Sequence, residues 1–313
     1  MEYVTLGKGG PKVSAVGLGM WQAGGIAWGA DVTDDACVAA MKRASALGVT
    51  LIDTAEGYGQ GHSEEVVGRA IREIGRENVV IATKVSGSHL APDLVPRACE
   101  GSLKRLGVAE IDVYQIHWPD PWDQVPLAKT MRALERLREQ GKIRHIAVSN
   151  FAVRDLEEAR AALSRSDVVE NQVHWSLLHR SIEEEVVPYC RKEGIAILPW
   201  SPLEKGLVTG RYQSGPKPTD EVRKNNRMLR DDNLAEIGKL VAVLREVGSR
   251  HGKTPAQVAL RWLMQQPGTV VPIPGAKRPE QAEENAGAAG WALTADEVRR
   301  VSDASAALNL DLF

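Results

Sequence analysis

No stretch of the 313 residues approaches the roughly 18 consecutive apolar side chains that a membrane-spanning helix needs. The opening residues, Met1-Glu2-Tyr3-Val4, lack the charged-then-apolar order of a secretory signal. Excess positive charge is missing too: 39 Lys and Arg face 41 Asp and Glu, for a formal net charge of −2. With no global basic field there is no pointer to nucleic acid, and any phosphate site has to be local. Cysteine is scarce. Cys37, Cys99 and Cys190 lie far apart, show no CxxC spacing and fall on helical patterns, which reads as reduced thiols with no metal or disulfide role. These absences describe a soluble cytoplasmic protein with neither membrane nor nucleic-acid partner. No linker, composition break or low-complexity tract divides the chain, so one domain over residues 1–313 is the economical reading.

What is present is a rhythm. The segments around Val4-Thr5-Leu6 and Val13-Ser14-Ala15, separated by a glycine-rich turn, predict a β-hairpin able to plug the bottom of a barrel. Strand-like apolar runs then recur at 16–19, 49–53, 79–84, 111–117, 143–149, 168–172, 195–200 and 270–274, with helix-like segments between them. Alternation of this kind means parallel strands with helical crossovers, and eight such units close into an α/β (β/α)8 TIM barrel. Thr254-Pro255-Ala256-Gln257 and Thr294-Ala295-Asp296-Glu297 each carry an N-cap and a capping-box partner, and Gly141 suits a helix stop. Residues 201–232 are too long for a simple crossover and read as a lid or binding loop; 233–250 predicts one extra helix and the segment from Thr294 a second.

The strand ends carry the chemistry. The second run stops abruptly on Asp53 and enters the loop Thr54-Ala55-Glu56-Gly57-Tyr58-Gly59; the third ends on Lys84 and the fourth on His117. In a parallel barrel these ends share one mouth. Taken singly, each residue has a structural explanation in an ion pair, a loop cap or a core histidine; together they suit proton transfer. A free tyrosine is too weak an acid at neutral pH, and an ammonium about 4 Å away is worth about 4 kcal/mol at an effective dielectric near 20, or about three pKa units. On that reasoning Lys84, held by Asp53, lowers the pKa of Tyr58, and His117 orients a carbonyl. Ser149, Asn150 and Gln172 offer groups that bind a carboxamide, and Trp200 a flat face for stacking. Gly275-Ala276-Lys277-Arg278-Pro279-Glu280-Gln281 sets cations at a helix start, a ready anion site, although a solvated loop is the plainer reading of Lys277-Arg278 alone. The GxGxxG fingerprint is absent: Gly17-Leu18-Gly19-Met20-Trp21-Gln22 fails at its third glycine.

Almost the entire chain resembles the aldo-keto reductases, in a bacterial NADPH-dependent branch. The resemblance rests on Asp53 to Gly59, Thr83-Lys84, Ile116-His117-Trp118-Pro119, Gly141-Lys142-Ile143-Arg144, Val148-Ser149-Asn150-Phe151, Pro199-Trp200-Ser201-Pro202-Leu203, and Ile273 to Arg278 leading to Glu284-Asn285. It implies a barrel that binds NADPH (NADP+) across its mouth and reversibly reduces a small-molecule aldehyde or ketone. By the same match Tyr58 is the proton donor, with Asp53, Lys84 and His117 completing the catalytic set. Ser149, Asn150 and Gln172 hold the carboxamide, Trp200 stacks on nicotinamide, and Gly19, Met20 and Trp21 also touch cofactor. Ser201, Pro202, Leu203, Lys205, Gly206 and Arg211 line the pyrophosphate, while Gly275, Ala276, Lys277, Arg278, Gln281, Glu284 and Asn285 hold the adenosine end. Many members carry arginine where this chain has Gln281, which leaves 2′-phosphate recognition to Lys277 and Arg278.

Trp21, Trp28, Trp118 and Trp122 fall in loops near the proposed mouth; Trp21 and Trp118, with Tyr58 and His117, are the substrate-pocket candidates. The tail, 306–313, is short, which suits an open, permissive pocket. Two other readings stay open. One is a nucleotide-binding regulatory or channel-type subunit on the same barrel with little turnover. The other is a metal-dependent hydrolase using His117, Asp53 and Glu170, which lacks an HxH pair.

Overall fold

The computed structural model describes residues 1–29, 31–122 and 124–311. β1 (Tyr3–Thr5) and β2 (Lys12–Ser14) form the expected hairpin, one residue ahead of its sequence placement, with Val4 opposite Val13. Gly7 makes its turn possible: its φ is +67°, and a Cβ there would meet the Val169 carbonyl oxygen at 1.9 Å. Leu6 and Val13 are fully buried in the barrel interior with Leu51, Val113, Ala196 and Val271, so the hairpin is the plug.

Seven parallel strands follow in sequential order: β3 (Leu18–Gly19), β4 (Leu51–Asp53), β5 (Val80–Val85), β6 (Ile111–Ile116), β7 (Ile143–Ser149), β8 (Val168–His174) and β9 (Ala196–Trp200). The helices α1 (Asp34–Ala46), α2 (His62–Ile74), α3 (Leu94–Leu106), α4 (Leu127–Glu139), α5 (Val153–Ala161) and α6 (Val186–Glu193) are the crossovers between them. Period-two alternation divides the central strands between two cores. In β6, Val113 faces the barrel interior while Tyr114 and Ile116 join the layer beneath the helices.

The eighth strand is present but irregular. Residues 270–275 bridge to β9 at Ile197 and to β3 at Gly19. Val271 and Ile273 donate to the carbonyls of Ile197 and Pro199, whereas Pro272 and Pro274, which have no N–H, only accept, from Gly17 and Gly19. The seam therefore closes the (β/α)8 barrel on half the usual hydrogen bonds.

After β9 comes the insertion. Its Leu207, Tyr212 and Leu229 pack on Leu234, Ile237 and Val241 of α7 (Asp231–His251), giving the segment its own small core. α8 (Pro255–Met264), α9 (Pro279–Ala286) and α10 (Ala295–Ala306) complete the chain, with both expected capping boxes formed at Thr254 and Thr294. Of the short tail, Leu312 and Phe313 lie outside the described residues. Among the described residues no helix is long and apolar enough to cross a membrane.

Candidate active site

The C-terminal strand ends open into a groove of about 830 Å³. At its floor, Asp53 at the end of β4 and Lys84 in β5 form a buried ion pair, Nζ to Oδ1 2.6 Å. Lys84 also donates to the Thr54 carbonyl at 2.8 Å and to the Tyr58 hydroxyl at 3.3 Å. The second oxygen of Asp53 accepts from Gln172 Nε2 at 2.8 Å and from Gln115 Nε2 at 3.1 Å. Every oxygen of that carboxylate is thus occupied, which fixes the ammonium beneath the phenol. His117, just past β6, stands edge-on to Tyr58 with ring centroids 5.5 Å apart. The quartet read from four separate strand and loop positions is one cluster.

The direction of the Tyr58 shift differs from the sequence expectation. Burial, which disfavours the phenolate, raises its pKa above the usual 10; Lys84 opposes this and Asp53 adds to it. The sequence expectation counts the Lys84 charge but not the cost of burying a phenolate, and it treats Asp53 as a support for Lys84 rather than as a negative charge acting on the phenol. Tyr58 consequently keeps its proton at neutral pH. Burial, aided by the nearby Lys84 charge, brings His117 down to about 3, so its imidazole is neutral. For Lys84 itself, burial works against the ammonium but the Asp53 charge and hydrogen bond prevail, and its pKa is raised.

Along the groove, Ser149, Asn150, Gln172 and Trp200 line the wall beside the quartet. Their polar groups face one another. Asn150 donates to the His117 carbonyl and to Ser149 Oγ, both at 3.0 Å, and accepts from Trp200 Nε1 at 2.9 Å. Trp200 stacks one face on His174, 4.1 Å between centroids, and His174 is held by buried Glu204 at 2.6 Å. Asn150, Ser201, Glu204 and Lys205 all have positive φ, a concentration of uncommon backbone at a single site.

Ser201, Pro202, Leu203, Lys205, Gly206 and Arg211 follow on the wall. At the far end stand Gly275, Lys277, Arg278, Gln281, Glu284 and Asn285, and Gly19, Trp21 and Trp118 complete the expected lining. Met20 and Ala276 do not line it: both side chains are buried in the layer under the helices, on the opposite face of the alternation from Gly19 and Gly275. Trp122 is 78 % exposed and also off the groove. Trp28, one of the four tryptophans expected near the mouth as possible walls for an apolar or planar substrate, lines the groove, as do Gln22 and Arg223, which sequence reasoning did not single out. Arg223 sits in a basic, aperiodic insertion with nothing in the sequence to set it apart from its neighbours.

The donor set suits a dinucleotide phosphate. Lys205, Arg211, Arg223, Lys277 and Arg278 all face this groove in a chain of net charge −2. Gly275 lets the backbone approach closely, since a Cβ there would lie 1.9 Å from Gln22 Nε2, and among the described residues the buried Gln22 Oε1 has no hydrogen-bond partner. A row of cations, an orphaned acceptor and a glycine wall beside a hydroxyl acid fit an extended nicotinamide dinucleotide. Among the described residues no group of three or more His, Cys, Asp or Glu is arranged to hold a metal ion.

Residues 15–306 match the model of the aldo/keto reductase family. The chain belongs to this family. It is 34 % identical to the aldo-keto reductase YhdN of Bacillus subtilis, over 96 % of this chain and 93 % of that protein. It is 33 % identical to the NADH-specific methylglyoxal reductase of Escherichia coli, over 92 % and 93 %. The crystal structure of an aldo-keto reductase from Klebsiella pneumoniae in complex with NADPH superimposes with a TM-score of 0.77 at 32 % identity, over 97 % of this chain and 95 % of that one.

Proposed function

We propose that this aldo-keto reductase family member is an NADP(H)-dependent oxidoreductase that reversibly converts an aldehyde or ketone into an alcohol, with residues 1–313 acting as a single barrel domain. The observation that carries the reading is the Asp53–Lys84–Tyr58 chain of contacts at the floor of a cation-lined groove. NADPH, when bound, supplies the hydride. The chain's own residues do the rest. Tyr58, protonated at neutral pH, gives its hydroxyl proton to the oxygen of the substrate. As that proton leaves, Lys84 Nζ is already in place to hydrogen-bond the oxygen left behind, and Asp53 keeps the ammonium there without reorganisation. Neutral His117 offers a ring N–H to the same carbonyl and sets its approach. Ser149, Asn150, Gln172 and Trp200 position the nicotinamide end, and Lys277 and Arg278 the adenosine end.

Trp21, Trp28, Tyr58, His117 and Trp118 wall the substrate recess, which favours carbonyls with an apolar or planar body. Both NADH-named and NADPH-bound proteins occur among the similar ones, and the local cations favour the phosphorylated form here. The three buried, unpaired thiols suit the cytoplasm.

The test is loss of NADPH absorbance with aromatic aldehydes, short aliphatic aldehydes, quinones and sugars, run beside Tyr58→Phe. Turnover by wild type and less than a tenth of it in the variant, with NADPH binding retained, is the expected result. A variant keeping more than that fraction removes Tyr58 as the proton donor. NADPH binding without turnover of any carbonyl favours the regulatory-subunit reading.

A further inference from the structure

The two cations assigned to the adenosine end already face a carboxylate. Lys277 Nζ lies 2.8 Å from Asp31 Oδ2, and the Arg278 guanidinium 3.8 Å from the same oxygen. Asp31 is more than half exposed while the Lys277 side chain is nearly buried, so the carboxylate covers the cation from the solvent side.

Asp31 is held in that place. Trp28 and Val32 on either side are buried, and the Val32 N–H donates to the Gly29 carbonyl at 3.1 Å. Gly29 has a φ of +108°, a conformation that residues with a Cβ rarely adopt, and a Cβ there would lie 2.8 Å from Asp31 Oδ1, so glycine suits the position beside the carboxylate. The same loop is tied to the insertion across the groove: Val222 N–H donates to the Ala27 carbonyl, and Arg223 lies over the Trp28 ring at 5.8 Å. Lys277 holds the Asp31 carboxyl below its ordinary range, so it is ionised at neutral pH.

Adenosine riboses are told apart by simple chemistry: a carboxylate accepts hydrogen bonds from the free 2′-hydroxyl of NADH, and a cation pairs with the 2′-phosphate of NADPH. This chain has both groups in contact at one position. We propose that Asp31 competes with the 2′-phosphate for Lys277 and Arg278 and accepts from the 2′-hydroxyl when NADH is bound, so that it sets how far the site discriminates between the two cofactors. This rests on the dinucleotide reading above. With NADPH, Lys277 has to leave Asp31, and the carboxylate stays close to a like charge. With NADH, the ion pair survives and gains a hydroxyl donor.

The experiment is equilibrium binding followed by quenching of groove tryptophan fluorescence. Wild type, Asp31→Asn and Asp31→Glu are titrated with NADPH, NADH and adenosine 2′,5′-bisphosphate. Asp31→Asn is expected to bind NADPH and the bisphosphate about fivefold tighter, the size of a half-exposed ion pair. The same variant should bind NADH about threefold or more weaker, having lost a charged acceptor. The NADPH-to-NADH preference then shifts by at least about tenfold, with Asp31→Glu staying near wild type. An unchanged preference, or equal weakening of both dinucleotides in a variant of unaltered melting temperature, overturns the proposal. Wild type that binds neither dinucleotide overturns the reductase reading itself, a result that cannot be mistaken for the others.

Discussion

Replacing Asp53 with Asn keeps the shape of the side chain and removes one charge from a site that holds two. Lys84 is fully buried, and among the described residues it has, besides Asp53, only the Thr54 carbonyl and the Tyr58 hydroxyl as partners. Removing one member of such a pair leaves an uncompensated buried ion, which costs about 3–5 kcal/mol. The Asn amide would also set an N–H₂ against the Gln115 and Gln172 donors that now share Asp53 Oδ2, so no other group makes good the loss. In a chain of this size each kcal/mol moves the melting temperature by about 2 °C, so Asp53→Asn should melt about 6–10 °C below wild type at pH 7. Adding Lys84→Met should recover most of that, because an apolar replacement of a buried pair is close to neutral. Thermal denaturation of the two single variants and the double variant measures the coupling directly. If Asp53→Asn melts within about 2 °C of wild type, Lys84 is not a buried cation in need of a counter-charge, and the account of how the phenol is supported is wrong.

Other perturbations reach different parts of the structure. Because the folded pKa values of Lys84 and Tyr58 are both raised, their stabilisation is complete below about pH 10 and is lost as the pH climbs through the folded values. Melting temperature should therefore hold from neutrality to about pH 10 and fall beyond it, less steeply in Tyr58→Phe; an equal fall in the variant would refute the Tyr58 share. With His117 brought down to about 3 and Tyr58 still protonated, kcat/KM for reduction should be flat from about pH 5 to about pH 9, and a step near 6.5 would show an imidazole that titrates normally. Glu170 is fully buried, among the described residues neither of its carboxyl oxygens has a hydrogen-bond partner, and its pKa is well above normal, so the fold is opposed by this group once the pH passes about 4.5. Glu170→Met should raise stability by about 1–3 kcal/mol at pH 8 and by less at pH 4.5, and denaturant titration at the two values checks both the sign and the difference. Gly7→Ala forces a left-handed conformation and a Cβ onto the Val169 carbonyl, and should lower the melting temperature by several degrees without changing NADPH affinity, as calorimetry and titration would show.

The quartet was legible in the sequence because Asp53, Lys84 and His117 each interrupt an apolar run at its end, parallel topology brings such ends together, and Tyr58 stands in the loop directly after the first of them. Helix boundaries were legible where capping is chemical, as at Thr254 and Thr294. The sign of the Tyr58 shift was not, because it depends on how closely Asp53 neutralises Lys84 and on how much water is excluded, and neither is written in residue spacing. Arg223 and Asp31 were missed for a related reason. Arg223 belongs to the insertion and Asp31 to the first loop, and both reach the groove wall through segments that have no period in the sequence. The eighth strand itself was read as regular, since Val271 and Ile273 carry the apolar signal while the prolines between them remove the bonds that would make it so.

Those prolines bear on how the barrel is assembled. Before closure, both β3 and β9 are open edges on which any extended chain, including a second copy, could grow. The closing segment has a complete bonding face only toward β9, where the Val271 and Ile273 N–H groups point; the other face carries no donors at Pro272 and Pro274. A strand edge that carries acceptors but no donors can form only half the bonds of an ordinary edge with an intruding strand. Proline at these two positions thus blunts that edge against edge-to-edge pairing, and the Gly17 and Gly19 amides, the only donors across it among the described residues, should be among the first barrel amides to exchange with solvent.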